Sequence, residues 1–217
     1  MLNHKTIVEF KKSYSYSLAF SRQIELSSMV RTNEIAYAVM GLEHSPVITL
    51  GRRANKLLDL QIDEKTIKGL GYEVVQSERG GQATLHHPGQ LVIYPILPLK
   101  NFNLGIRAYV DLLLVVTKDL LSSYGIHTML GSERPGLYTA SGKIVFIGIR
   151  VENGISRHGI AINVSNDLSE FHLIASCGVI DSKLDKVSHY VNIDTKTLFL
   201  QWQDFLRIRL EALLTSV

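Results

Sequence analysis

Two long apolar stretches separated by Asn153-Gly154 constrain this chain more than any other feature. Lys143 to Val151 reads KIVFIGIRV, and Ile155 to Val164 reads ISRHGIAINV, with Glu152, Asn153 and Gly154 between them. Asn-Gly flanked by such runs is a strong hairpin signal, because both central positions of the favoured two-residue turn require positive φ. The two stretches are therefore expected to pair antiparallel. A sheet that contains them is mixed or antiparallel rather than wholly parallel.

The other segments supply the remaining elements. Ile7-Val8-Glu9-Phe10 reads as a short first strand. Between Tyr14 and Arg31, Leu18, Ile24 and Met29, with Ala19 and Leu26, suit the inner side of an amphipathic helix. Ile35 to Met40 and Val47 to Leu50 read as two strands joined at the turn Glu43-His44-Ser45-Pro46. Asp63 to Leu70 is a short helix ending near Gly69 or Gly71, followed by a strand at Tyr72 to Val75. Leu91 to Leu97 is a continuous apolar run, expected to be a buried strand. Ile106, Tyr109, Val110, Leu113, Val116, Leu120 and Tyr124 fall on one helical stripe, with Gly125 at the C-terminal cap. A last helix covers Thr195 to Leu214, with Leu198, Trp202, Leu206, Leu210 and Leu213 turned inward. No Pro/Gly/Ser-rich linker and no repeat interrupts the chain. The expected fold class is α/β: one domain over residues 1–217, a mixed β-sheet flanked by helices.

At 217 residues and 46% hydrophobic, the chain is long enough to bury a sizeable core. A net charge of +3 gives no push toward nucleic acid. The single cysteine, Cys177, excludes an intrachain disulfide and fits a reducing compartment. No segment has the order of a signal peptide, and no apolar run approaches the roughly 20 residues of a membrane helix. A soluble, cytoplasmic monomer is expected, with no nucleic-acid or membrane partner.

The most unusual local sequence is Arg79-Gly80-Gly81-Gln82-Ala83-Thr84-Leu85-His86-His87-Pro88-Gly89-Gln90. Paired glycines let backbone approach a ligand closely, and Arg79 offers a planar fork for a carboxylate or phosphate. The plainer reading is a tight turn with a surface arginine. It is no phosphate loop, since the GK[ST] ending is missing; Gly142-Lys143 is followed by Ile144 and has Leu137 where a first glycine is needed. No GxGxxG run follows a strand either. His86 and His87 are adjacent, and on a strand they point to opposite faces; with no HExxH, CxxC or compact acid-histidine cluster, neither a metal nor a cofactor is expected. Lys143, at the start of its strand, reads on its own as a lysine whose charge reaches water. Cys177 on its own reads as a small buried hydrophobe, although Ser176 and Gly178 favour a turn where a thiol is reachable. As a pair they are a candidate nucleophile and the ammonium that favours its thiolate. Arg52-Arg53, with Lys56, is the one local basic cluster: solvated surface, or a means of steering an acidic partner.

Together these pieces resemble the octanoyltransferase, or lipoyl(octanoyl) transferase, family of lipoate biosynthesis, over about residues 30 to 190. Three blocks carry the likeness: Arg79-Gly80-Gly81-Gln82 to Pro88-Gly89-Gln90-Leu91; Gly136-Leu137-Tyr138 with Gly142-Lys143-Ile144 and Ile147-Gly148; and His158-Gly159-Ile160-Ala161-Ile162-Asn163-Val164 leading to Cys177-Gly178. The resemblance implies the fold shared by biotin and lipoate protein ligases. It implies transfer of an octanoyl (or lipoyl) group from acyl carrier protein to one lysine of a lipoyl domain, in 2-oxoacid dehydrogenases and the glycine cleavage H protein. It also implies Cys177 as the acyl-carrying nucleophile and Lys143 as its partner in proton transfer. Its acyl site corresponds to Arg79, Gly80, Gly81, Gln82, Ala83, Thr84, Leu85 and His86, to Phe146, Ile147 and Gly148, and to Gly159, Ile160 and Ala161. A thioester donor is already activated, so no ATP is implied, and backbone N–H groups near Cys177 or Gly80-Gly81 are candidates for holding an oxyanion. The family usually has tyrosine at Leu85, glycine at His87 and proline at Ser176, changes that bear on pocket size, backbone approach and the stiffness before the nucleophile. An ATP-dependent lipoate ligase on the same fold, or a non-catalytic scaffold binding acyl groups or lipoyl domains, are the alternatives.

Overall fold

The computed structural model describes residues 5–131, 135–175 and 183–215. The hairpin forms where Asn-Gly puts it. β9 (Lys143–Glu152) and β10 (Ile155–Asn163) pair antiparallel from Ile155 opposite Glu152 to Ile162 opposite Val145. Asn153 (φ 51°) and Gly154 (φ 78°) take the two left-handed positions of the turn. Around this pair lie β1 (Ile7–Tyr14), β2 (Ala38–His44), β6 (Gln90–Ile96), β7 (Met129–Leu130) and β8 (Gly136–Tyr138), in the order β1-β2-β6-β10-β9-β8-β7. β1 and β2 are parallel and the other neighbours antiparallel, so the sheet is mixed. A second sheet, β4-β3-β5, is formed by β3 (Val47–Leu50), β4 (Glu73–Gln76) and β5 (Ala83–His86).

Helices cover both faces of the large sheet. On one face, α4 (Ile106–Ser123) and α5 (Thr195–Thr215) bring Tyr109, Leu113, Trp202 and Leu206 against Leu91, Ile93, Ile160 and Ile162. On the other, α1 (Tyr16–Arg31) and the small sheet bring Leu26, Ile48 and Leu85 against Met40, Val92, Tyr94 and Phe146. Alternate residues of β6 thus enter different cores, which is why its sequence is an unbroken apolar run. The short helices α2 (Lys56–Asp59) and α3 (Glu64–Gly69) join the strands of the small sheet. Among the described residues no helix is long and apolar enough to cross a membrane.

Three expectations need correction. The inner face of α1 is Tyr16, Ala19, Gln23, Leu26 and Val30, whereas Leu18 (55%) and Ile24 (44%) are exposed. A polar residue wins an inward place because the Gln23 Oε1 accepts the His158 backbone N–H at 2.7 Å. β2 runs on through His44, and β3 then leaves for the other sheet, so the two strands are not hairpin partners. β1 extends to Tyr14, beyond Phe10, because its edge is paired with β2 as far as His44.

Candidate functional site

A narrow cavity of about 60 Å³ lies between the two sheets. β9 contributes Lys143, Phe146, Ile147 and Gly148 to its wall, and β10 contributes His158, Gly159, Ile160 and Ala161. The loop before β5 and β5 itself add Arg79, Gly81, Gln82, Ala83, Thr84 and His86. Tyr16, Thr49, Val92 and Tyr94 complete the wall.

Lys143 is not a strand-end lysine reaching water: it is 5% exposed. Its Nζ lies 4.9 Å from the ring centroid of Phe146 and 5.3 Å from that of Tyr138, and donates to the Pro135 carbonyl at 3.2 Å. An ammonium set against aromatic faces keeps favourable electrostatics while losing water. Backbone on both sides of the lysine is tied to the segment after residue 182. The Lys143 N–H donates to the Lys183 carbonyl at 2.9 Å, and the Asp185 N–H donates to the Lys143 carbonyl at 3.0 Å. Asp185 is fully buried and gathers the hydroxyls of Thr139 and Tyr190, His189 Nδ1 (2.7 Å) and the Lys186 N–H (2.9 Å). Burial works against its charge, but these donors outweigh it and hold the carboxyl below its ordinary range.

Arg79 turns inward. Its Nε and Nη2 donate to Thr49 Oγ1 (3.0 and 2.8 Å), Nη2 also to the Thr49 carbonyl (2.6 Å), and Nη1 to the Gly80 carbonyl (3.0 Å). The fork thus fastens the loop to β3 while its charge stays beside the cavity. The Gly80 N–H donates to the Ile149 carbonyl at 2.9 Å, which removes it as an oxyanion donor.

His86 and His158 line the polar side of the cavity, and His44 stands behind Tyr94. His44 Nδ1 donates to the Tyr14 carbonyl (3.0 Å), so its Nε2 accepts from the Tyr94 hydroxyl (2.8 Å). Burial lowers the pKa of His44 to about 4. Burial, with Arg79 and Arg157 nearby, lowers that of His158 to about 3. His86, bonded to Gln90 Oε1 at 2.6 Å, is pushed well below its ordinary value, chiefly by burial. All three are neutral at physiological pH. Among the described residues no group of three His, Cys, Asp or Glu side chains could hold a metal ion.

Residues 14–205, which hold the small sheet, every strand of the large sheet except β1, and most of the helices, match the family model of the lipoyl protein ligase A/B catalytic domain. The chain belongs to that family. An octanoyltransferase of Dichelobacter nodosus is 39% identical over 170 residues, 77% of this chain and 82% of that protein. Among solved structures, P. falciparum LipL1 in complex with lipoate superposes with a TM-score of 0.74 at 12% identity, over 96% of this chain and 61% of that one. A putative lipoate protein ligase from T. acidophilum with bound lipoic acid gives 0.70 at 12% identity, over 98% and 93%. At that identity the structures establish the fold alone, a mixed sheet flanked by helices.

In this lipoyl protein ligase A/B domain, the sequence blocks from three distant stretches meet at one cavity, but Gly80 and Leu85 do not line it. Leu85 is fully buried in the core beneath, because neighbours on a strand face opposite ways and Thr84 and His86 take the cavity side. A change at position 85 therefore acts on the floor rather than the wall. His87 points away as well, toward Phe171 (ring centroids 6.4 Å apart) and Asn166 (3.2 Å). Cys177, with Ser176 and Gly178, lies outside the described residues. Arg52, Arg53 and Lys56 are exposed; Lys56 is paired with Glu64, and the Arg52 and Arg53 N–H groups bond the carbonyls of Arg79 and Gly81. Tyr16, Thr49, Val92 and Tyr94 were not legible as wall residues. They sit in three different elements with no local motif, and only the inward alternation of β6 could have singled out Val92 and Tyr94.

Proposed function

We propose that the chain is an octanoyltransferase of protein lipoylation, acting as a single cytoplasmic domain and a monomer. The Cys177 thiolate attacks the thioester carbonyl of octanoyl-acyl carrier protein, a new thioester forms, and the carrier's thiol leaves with a proton delivered by Lys143. The lysine amine of a lipoyl domain then attacks the enzyme thioester. The amide forms and Cys177 departs as thiolate, while Lys143 takes up the proton shed by the amine. The lipoyl domains are those of 2-oxoacid dehydrogenases and the glycine cleavage H protein.

The observation that carries this reading is a buried lysine at one side of a narrow, largely apolar cleft, in a chain of the lipoyl protein ligase A/B family that resembles octanoyltransferases. Supporting it, the segments that bracket Cys177 are both anchored nearby: Ala175 N–H on the Asp59 carbonyl (2.8 Å), and Lys183 on Lys143 itself. Exposed Arg52 and Arg53, beside the loop that carries Arg79, suit the approach of an acidic carrier. The test is mass spectrometry after incubation with octanoyl-acyl carrier protein. The expected result is one octanoyl adduct on Cys177, discharged by an apo lipoyl domain, and loss of both adduct and transfer in Cys177→Ala. Full transfer by Cys177→Ala would overturn the mechanism.

A further inference from the structure

A chain of amides fixes the tautomer of His86. The Asp185 carbonyl can only accept, and Asn163 Nδ2 donates to it at 3.1 Å. Asn163 Oδ1 is thereby left to accept, from Gln90 Nε2 at 3.0 Å and from Asn166 Nδ2 at 3.2 Å. Gln90 then presents its Oε1 to His86 Nδ1, 2.6 Å away, so Nδ1 carries the proton. The neutral ring keeps its lone pair on Nε2.

That lone pair is open to the cleft. The ring lines the cavity, and Nε2 has no hydrogen-bond partner among the described residues, yet its surface is not sealed as that of His158 Nε2 is. The sheet register sets it near the level of Lys143. Gln90 is opposite Asn163, and Ile162, one residue earlier, is opposite Val145. The row of Gln90 and Asn163 therefore meets β9 at Ile144, next to Lys143, two strand spacings or about 10 Å across. The Asp185 N–H on the Lys143 carbonyl joins the amide chain to the lysine's own backbone.

We infer that His86 Nε2 receives an N–H of the lipoyl-domain lysine amine as that amine attacks the enzyme thioester; the inference rests on the octanoyl-transfer reading. At the reacting centre an acceptor nitrogen suits no other group. The thioester carbonyl and the oxyanion it becomes are acceptors themselves, the acylated cysteine has no S–H, and the acyl chain has no polar hydrogen. The hydrogen bond turns the amine's lone pair toward the carbonyl carbon. The N–C bond forms, the C–S bond breaks, and Cys177 leaves as thiolate. Burial makes His86 too weak a base to keep the proton, which passes to Lys143. Gln90 and Asn163 act through the ring, as positioning residues that hold its tautomer.

The test separates the two half-reactions by rapid-quench mass spectrometry: formation of the octanoyl-enzyme from octanoyl-acyl carrier protein, and its discharge by an apo lipoyl domain. His86→Asn keeps an amide N–H for Gln90 and has nothing in the place of Nε2, whereas His86→Gln reaches that place with an amide oxygen. Discharge is expected to slow about tenfold in His86→Asn, the worth of one hydrogen bond, with acylation slowed less and discharge partly restored in His86→Gln. Wild-type discharge by a folded His86→Asn protein, or equal slowing of both halves, overturns the assignment. Nitrogen NMR of the wild type gives a readout free of any variant. A protonated Nδ1 and a bare Nε2 are expected for His86, and a proton on Nε2 overturns the proposal. No octanoyl adduct on the wild type would instead overturn the reading on which it rests.

Discussion

Lys143 owes its seat to a glycine on the neighbouring strand. A Cβ at Gly136 would stand 2.4 Å from the Val145 carbonyl oxygen and 2.7 Å from Lys143 Cε, and its φ of 147° is one that other residues seldom adopt. Gly136→Ala must therefore displace the lysine stem or part β8 from β9. Transfer is expected to fall by up to about a hundredfold, the loss that a misplacement near 1 Å can cause, and kcat should drop more than the donor KM rises. Steady-state kinetics alongside thermal unfolding check this: wild-type kcat in a folded Gly136→Ala protein would show that the lysine's position is not critical. Residue 136 was legible as part of a motif block. Its reason was not, because the contact depends on the pairing of β8 with β9 in register.

At the scale of elements, patterning was read well where one face meets one core. The α5 stripe Leu198, Trp202, Leu206 and Leu210 is buried as expected, and α4 meets it through Leu113 and Leu120. Buried within their contact, Trp202 Nε1 donates to Thr117 Oγ1 at 2.8 Å, and Thr117 in turn donates to the Leu113 carbonyl, while Arg209 pairs with Asp119 at the exposed edge (2.6 Å). Thr117→Val keeps the shape and leaves the indole N–H buried and unpaired. A loss of about 1–3 kcal/mol is expected in denaturant unfolding, with transfer kinetics intact. No loss would mean that the indole finds another acceptor. Patterning misled in α1, where a buried glutamine stands in for an apolar residue. Periodicity cannot anticipate a side chain whose acceptor oxygen is used by a backbone N–H 135 residues away.

For the whole molecule, the buried histidines tie stability to pH. His44 and His158 have folded pKa values of about 4 and 3, against an ordinary 6.5, and His86 is also depressed. A depressed folded value means that the unfolded chain binds protons the native one refuses. Their contribution is therefore fully present above about pH 6.5 and is lost as pH falls toward 4 and 3. Asp185, held below its ordinary 3.8, adds a further loss only at still lower pH. The unfolding midpoint is expected to stay level between pH 7 and 8 as far as these groups are concerned, and to fall steeply from pH 6 to 4. His44→Gln should make that fall shallower. Equal slopes in mutant and wild type would show that His44 does not contribute.

The sequence by itself determined the hairpin, the mixed sheet, the principal helices and the family blocks, because turn chemistry and apolar period are local properties of the chain. It also pointed to most of the cavity wall, by resemblance. Tertiary structure alone decided that Lys143 is buried against Phe146 and Tyr138, that Arg79 clasps Thr49, and that Leu85 faces away. Those outcomes depend on which strands become neighbours and in what register. Register is a long-range property, settled by the two cores together rather than by any one segment.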